Sequence, residues 1–197
     1  MNKYKLIAIC GKSAAGKDTF LREMAKLENL HEVVSCTTRP PREGEINGIN
    51  YHFLTTAEFV KKIDNREMLE ASIFRDWYYG TSYDGLDKNK INVGVFNPDG
   101  IRYMMNIDNL DLYVVLVIAS DKIRLLRSLN REENPDVDEI VRRYTTDKND
   151  FESFSQFYEP DYTVENNGQG IDPARARDIA ERIVEEAERA WAKKANQ

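Results

Sequence analysis

The 197-residue chain predicts an α/β fold, a central parallel sheet flanked by helices, on three observations. Leu6 to Cys10 is a short apolar run ended by glycine that opens into GKSAAGKDTF, the order of a buried strand, a phosphate-binding turn and a helix. Leu112 to Ala119, LYVVLVIA, is β-branched and apolar on both faces, as a strand covered on both sides requires. Strand-like and helical stretches alternate along the rest of the chain, the pattern that winds a parallel sheet and gathers ligands at its strand C-termini.

Taken in order, the elements follow from local chemistry. After the first strand and turn, Phe20 to Leu27 carries apolar residues at helical spacing (Phe20, Leu21, Met24, Ala25), and Glu32 to Val34 reads as a second strand. That strand delivers SCTTRPPREGEINGINYHF, where Pro40 and Pro41 disfavour helix, Gly44 and Gly48 permit turns, and Tyr51 to Leu54 returns as a β-prone run. Thr55 and Glu58 fit a capping box for a helix to about Ile63, with Phe59, Val60 and Ile63 on one face. Met68 to Phe74 and WYYGTS read as two further strands, and Ile91 to Phe96 as a central one. Asn97 caps a helix that starts at Pro98 and runs to about Asn106. Ser120 caps a helix from Asp121 to Leu129, with Ile123, Leu126 and Leu129 expected toward the core and Arg124, Arg127 and Arg131 lining one edge. The polar tip EENPDVD separates it from a second arginine-bearing helix, Val137 to about Lys148, and the pair makes a candidate lid. Tyr162 to Glu165 is a last strand, and Asp172-Pro173 starts a terminal helix whose stripe is Ile179, Ile183, Val184, Ala187 and Trp191.

Length permits one domain with a sizeable core, so no disulfide framework is needed. Cys10 and Cys36 alone suggest neither disulfides nor a zinc site, and a reducing cytoplasm fits. No apolar run approaches the length of a membrane span or signal segment. A net charge of −6 argues against coating nucleic acid, yet arginines cluster locally, as sites for small anions require.

Two stretches carry chemistry. Gly11, four residues, Gly16 and Lys17 have the spacing of a phosphate loop: backbone N–H groups across Ala14, Ala15 and Gly16 can face an anion, and Lys17 can reach β- and γ-phosphates. The usual hydroxyl after that lysine is replaced by Asp18, with Thr19 one residue later. In the second stretch, the planar forks of Arg39 and Arg42 with the Tyr51 hydroxyl suit a phosphate monoester. The bland alternatives are an unliganded strand-to-helix turn, a solvated basic loop, Glu70 as the polar face of a strand, and wet helix faces for the later arginines.

GKSAAGKDT, SCTTRPPREGEINGINYHF and MLEASIFRDWYYGTS, spaced as here, resemble guanylate kinase over most of the chain. The middle stretch is the specific one; the first marks only the wider class of phosphate-loop proteins. The resemblance implies a phosphate-loop kinase with a core (1–34, 86–129, 149–197), a nucleoside-monophosphate lobe at about 35–85 and a helical lid at about 130–148. It implies ATP-dependent phosphorylation of GMP, with dGMP also expected, and Mg²⁺ as cofactor. Gly11, Ala14, Ala15, Gly16, Lys17, Asp18 and Thr19 would bind ATP, with Asp18 toward the metal, directly or through water. Arg39, Arg42, Tyr51 and Tyr79 would hold the acceptor phosphate; Ser35, Glu70 and Thr81, with Asn97, would meet guanine. Lys17, Arg39 and the lid's Arg131 and Arg143 would act on the transferred group. One departure stands out: the family's Asp-x-Asp before Gln-Gly is here Val95-Phe96-Asn97-Pro98-Asp99-Gly100. A broader deoxynucleoside monophosphate kinase and a non-catalytic protein-binding module remain as alternatives. Nucleotides are the expected partners, with no nucleic acid or membrane, for a monomer or homodimer in the cytoplasm.

Overall fold

The structure is a computed structural model that describes residues 3–42, 44–74, 76–131, 133–168 and 172–195. Its elements are β1 (Tyr4–Cys10), α1 (Lys17–Met24), β2 (Leu30–Glu32), β3 (Cys36–Thr37), β4 (His52–Phe53), α2 (Thr56–Asp64), β5 (Met68–Phe74) and β6 (Trp77–Ser82). There follow β7 (Ile91–Val95), α3 (Pro98–Met104), β8 (Leu110–Ile118), α4 (Asp121–Leu129), α5 (Val137–Phe157), β9 (Tyr162–Glu165) and α6 (Pro173–Ala195). Five strands form a parallel sheet in the order β2-β7-β1-β8-β9, and the short strands β4-β3-β6-β5 form a second, mixed sheet.

Alternation along β1 explains why its whole run is apolar. Ile7 and Ile9 pack toward α1 and α6 with Phe20, Met24, Ile183 and Trp191, while Leu6, Ala8 and Cys10 face the opposite layer with Ile101, Met104 and Phe154. Each such fully buried large side chain contributes roughly 2 kcal/mol. At the C-terminal end of β1 the chain must pass the carbonyl of Val117, where a Cβ on Gly11 would stand 2.2 Å from that oxygen, and the backbone turns at φ +151°. Glycine is therefore required there on two counts. The capping box expected at Thr55 and Glu58 is present, with the side chain of each accepting from the other's backbone N–H.

Three expectations need correction. In α4, Leu126 and Leu129 are 48% and 39% exposed, while Arg124 is 3% exposed. The inward face of α4 meets the phosphate loop, whose carbonyls require donors, so an arginine is drawn in and leucines turn out. Arg131 lies beyond the Asn130 C-cap of α4 rather than on a helix. The second lid helix does not stop near Lys148: α5 continues to Phe157, because Phe154 inserts between β8 and α3 as part of the core.

Candidate functional site

The turn after β1 is held from behind. Arg127 donates to the carbonyls of Ala14 (3.2 Å), Ala15 (3.4 Å), Asn166 (3.0 Å) and Gly168 (2.9 Å), and the Asn166 amide donates to Ala15 at 2.7 Å. A trans peptide directs its N–H opposite its C=O, so this grip aims the Gly16 N–H the other way. Gly16, at φ +103°, caps α1, and a Cβ there would stand 2.3 Å from the Asn166 amide nitrogen. Ala15 and Gly11 are buried within this support; Ala14, Gly16, Lys17, Asp18 and Thr19 line a cavity of about 410 Å³. Arg131 and Arg143 line the same cavity, so the lid's two expected cations and the phosphate loop meet in one space.

Lys17 donates to the Lys12 carbonyl at 3.2 Å. Burial pulls its ammonium pKa below the ordinary range, while Asp18 and then Asp147 push it back up. Asp18 sits exposed in the first turn of α1, where the helix dipole favours an anion. Asp18 and Thr19 offer hard oxygens of the kind Mg²⁺ takes when phosphates complete its shell. Among the described residues no group of three or more His, Cys, Asp or Glu could hold a metal unaided.

The residues expected to meet the acceptor are carried by the small sheet and its loops. Arg39, 8% exposed, forms a fork-to-fork pair with Glu45, both bonds 2.6 Å, and its guanidinium stands 5.1 Å from the centre of the Tyr51 ring. Glu45 also accepts the Arg42 N–H at 2.7 Å. Hydrogen bonding to Arg39 holds the Glu45 carboxyl down at about 2. Tyr51 packs edge-on to Tyr79, 6.1 Å between centres, and burial raises its phenol pKa. The Arg42 side chain is exposed.

Glu70 on β5 pairs with Thr81 on β6 and is 7% exposed. Burial pushes its carboxyl up to about 7, against hydrogen bonds from the Thr81 side chain and backbone. Ser35 Oγ lies 3.4 Å from Thr81 Oγ1, so all three expected base-reading residues come together. The N-terminus of α3 closes this pocket: a Cβ on Gly100 would stand 3.3 Å from a Glu70 carboxylate oxygen. Asn97 accepts the Gly100 N–H through Oδ1 at 2.7 Å. Its oxygen, expected to accept from guanine, thus serves the helix cap, leaving its amide nitrogen as a donor.

Sequence reasoning placed Arg124 and Arg127 only on one edge of a candidate lid helix, and assigned no role to Asn166, Glu45 or Asp147. Arg127 and Arg124 carried a signal in their three-residue spacing, and Glu45 in its place within the specific middle stretch. Asn166 and Asp147 carried none, because their partners lie on the far side of the chain.

Comparison with known proteins identifies the family. A family model described as guanylate kinase matches residues 3–177. The guanylate kinase of Campylobacter jejuni is 30% identical over 168 residues, covering 82% of this chain and 80% of its own. That of Gloeobacter violaceus is 31% identical over 142 residues, 71% of this chain and 69% of its own. The crystal structure of guanylate kinase from Anaplasma phagocytophilum superposes with a TM-score of 0.63 at 21% identity, over 96% of this chain and 87% of that one, which speaks to the fold.

Proposed function

Since the chain belongs to the guanylate kinase family, we propose that it transfers the γ-phosphoryl group of ATP to GMP, and also to dGMP, yielding the nucleoside diphosphate. One observation carries the reading: a buried carboxylate at Glu70, with Thr81 and Ser35 beside it, shares a small lobe with the locked cation Arg39. An ionised carboxylate only accepts, and guanine offers two adjacent donors, N1–H and the exocyclic amino group. Adenine would set its N1 lone pair against a carboxylate oxygen, a mismatch that polar pockets reject by orders of magnitude. Glu70, Thr81 and Ser35 are placed to meet the base rather than the sugar, and the reading includes dGMP for that reason.

In-line transfer between two polyanions asks for positioning and charge neutralisation rather than a covalent intermediate. Lys17 and the loop N–H groups hold the β- and γ-phosphates; Arg39, Arg42 and the Tyr51 and Tyr79 hydroxyls hold the acceptor phosphate. Arg131 and Arg143 meet the charge that develops on the transferred group as the lid excludes water. A Mg²⁺ ion, which Asp18 would hold directly or through water with Thr19 beside it, would neutralise the β- and γ-phosphate charge. Free, buried Cys10 and Cys36 suit a reducing cytoplasm, and among the described residues no helix is long and apolar enough to cross a membrane. The protein-binding module is not favoured, because Lys17 and five arginines, Arg131 and Arg143 among them, line the phosphate-loop cavity.

A coupled assay with ATP, Mg²⁺ and a panel of GMP, dGMP, AMP, CMP and dTMP tests the reading. GMP and dGMP should exceed AMP in kcat/KM by at least about 10²-fold. Equal use of AMP, or no transfer to any acceptor, would overturn it.

A further inference from the structure

Asp147 on α5 is the one carboxylate among the described residues that touches a backbone N–H of the phosphate loop. Its Oδ2 accepts the Ser13 N–H at 2.6 Å and Arg124 Nη2 at 2.6 Å, and its Oδ1 accepts the Ser13 hydroxyl at 3.3 Å. Arg124 in turn donates from Nε to the Ser13 carbonyl at 2.9 Å. The ion pair thereby closes a ring around one residue, with the carboxylate on its donors and the guanidinium on its acceptor. A second tie lies one turn earlier on α5, where the Tyr144 hydroxyl donates to Asp121 at 2.7 Å; Arg124 Nη1 donates to the same carboxylate at 2.8 Å.

We propose that Asp147 is a positioning residue that locks the lid helix to the phosphate loop and so sets where Arg143 stands. Arg143 and Asp147 are four residues apart on an unbroken helix, hence on one face and separated by a rise of about 6 Å. Fixing one fixes the other. The sequence boundary for the lid, near Lys148, moves accordingly: the part free to close lies N-terminal to this lock, and Arg143 reaches the cavity from its edge. The charged bonds also hold the loop that curls around Lys17, so one ion pair serves both the cradle and the cation above it.

The inference rests on the kinase activity proposed above. It is tested with Asp147→Asn and with Arg124→Leu/Asp147→Leu, because removing one partner of a buried pair destabilises a fold, whereas replacing both with apolar groups is often neutral. Three quantities are read in each: the melting temperature, the kcat-against-KM split, and the Ser13 amide resonance in a ¹H–¹⁵N spectrum. Both variants should lower kcat about tenfold and leave KM for GMP within about twofold, because the acceptor lobe is untouched. The Ser13 amide proton should move upfield as its charged acceptor is lost, and the double variant should melt above Asp147→Asn while staying slow. Wild-type kcat in the double variant would reduce the pair to a structural contact and overturn the proposal, as would an effect confined to KM. The Ser13 resonance is read without turnover: if the wild type phosphorylated no acceptor, the assigned activity would fall, and the lock would then stand or fall on whether that resonance moves in Asp147→Asn.

Discussion

On the phosphate-loop side, Arg127 gives its guanidinium to main-chain carbonyls of the loop and of the turn after β9, so the cradle is tied directly to the central sheet. In the acceptor lobe, Arg39 is instead held by Glu45, six residues away on the same loop. The difference follows from the scaffold beneath each. β1 and β8 are seven and nine residues long and carry the phosphate loop on buried backbone, whereas β3 and β4 have two residues each. The loop that carries Arg39 hangs from these two short strands, and its cation is held through a side-chain pair. On the phosphate-loop side the guanidinium grips main chain that hangs from the long strands; on the Arg39 side the main hold is a side-chain pair within one loop, beside aromatic neighbours.

The largest expected effect breaks the acceptor side alone. Arg39→Ala should lower kcat/KM for GMP by about 10²-fold or more and leave the affinity for an ATP analogue unchanged. Glu45→Gln keeps the cation but loosens its fork, and should cost about tenfold in the same parameter. Calorimetric titration of each nucleotide, beside steady-state kinetics, checks both; a loss of ATP affinity in either variant would mean that the two sides are not separately built.

A smaller effect concerns pH and sharpens the contrast through Glu70. Its carboxyl, raised by burial from 4.5 to about 7, must be ionised to accept both guanine donors. The kcat/KM for GMP should therefore rise with pH through about 7, and Glu70→Gln should flatten that rise while lowering the preference for GMP over AMP. Stability runs the other way. The folded protein holds this proton more tightly than the unfolded chain, so the contribution is fully present below pH 4.5 and is lost as pH rises through about 7. Denaturant titrations from pH 4 to 8 should show a difference between wild type and Glu70→Gln that opens across this window. A pH-independent difference would place the titration elsewhere.

The smallest effect belongs to Asp18. Asp18→Ala should raise the Mg²⁺ concentration for half-maximal activity severalfold, and Asp18→Ser should recover part of it through a hydroxyl ligand. If neither variant moves the Mg²⁺ titration, Asp18 acts only through the dipole of α1.

Much of the site was legible before any fold was known, for reasons that differ by residue. Gly11, Gly16 and Lys17 declare themselves because a phosphate loop is one contiguous turn with its own steric demands. Arg39, Arg42 and Tyr51 share a single shaped loop. Glu70 was visible as a carboxylate in an apolar strand, but only its burial in the fold, with Gly100 close to its carboxylate, shows why its carboxyl is raised despite the Thr81 hydrogen bonds. Asn97 was read both as a cap and as a base acceptor; the structure shows its oxygen in the cap.

The sequence by itself determined the order of strands and helices, the capping box at Thr55, the phosphate loop and the arginine-rich acceptor loop, because each depends on residues within a few positions of one another. Tertiary structure decided which face of α4 turns inward, how far α5 runs, and what Asp147 and Asn166 do. Periodicity marks an apolar stripe without saying what the helix lies against, and here it lies against carbonyls that call for Arg124 and Arg127. Asp147 meets Ser13 across 134 positions of sequence, a separation over which only the packed sheet brings donor and acceptor together.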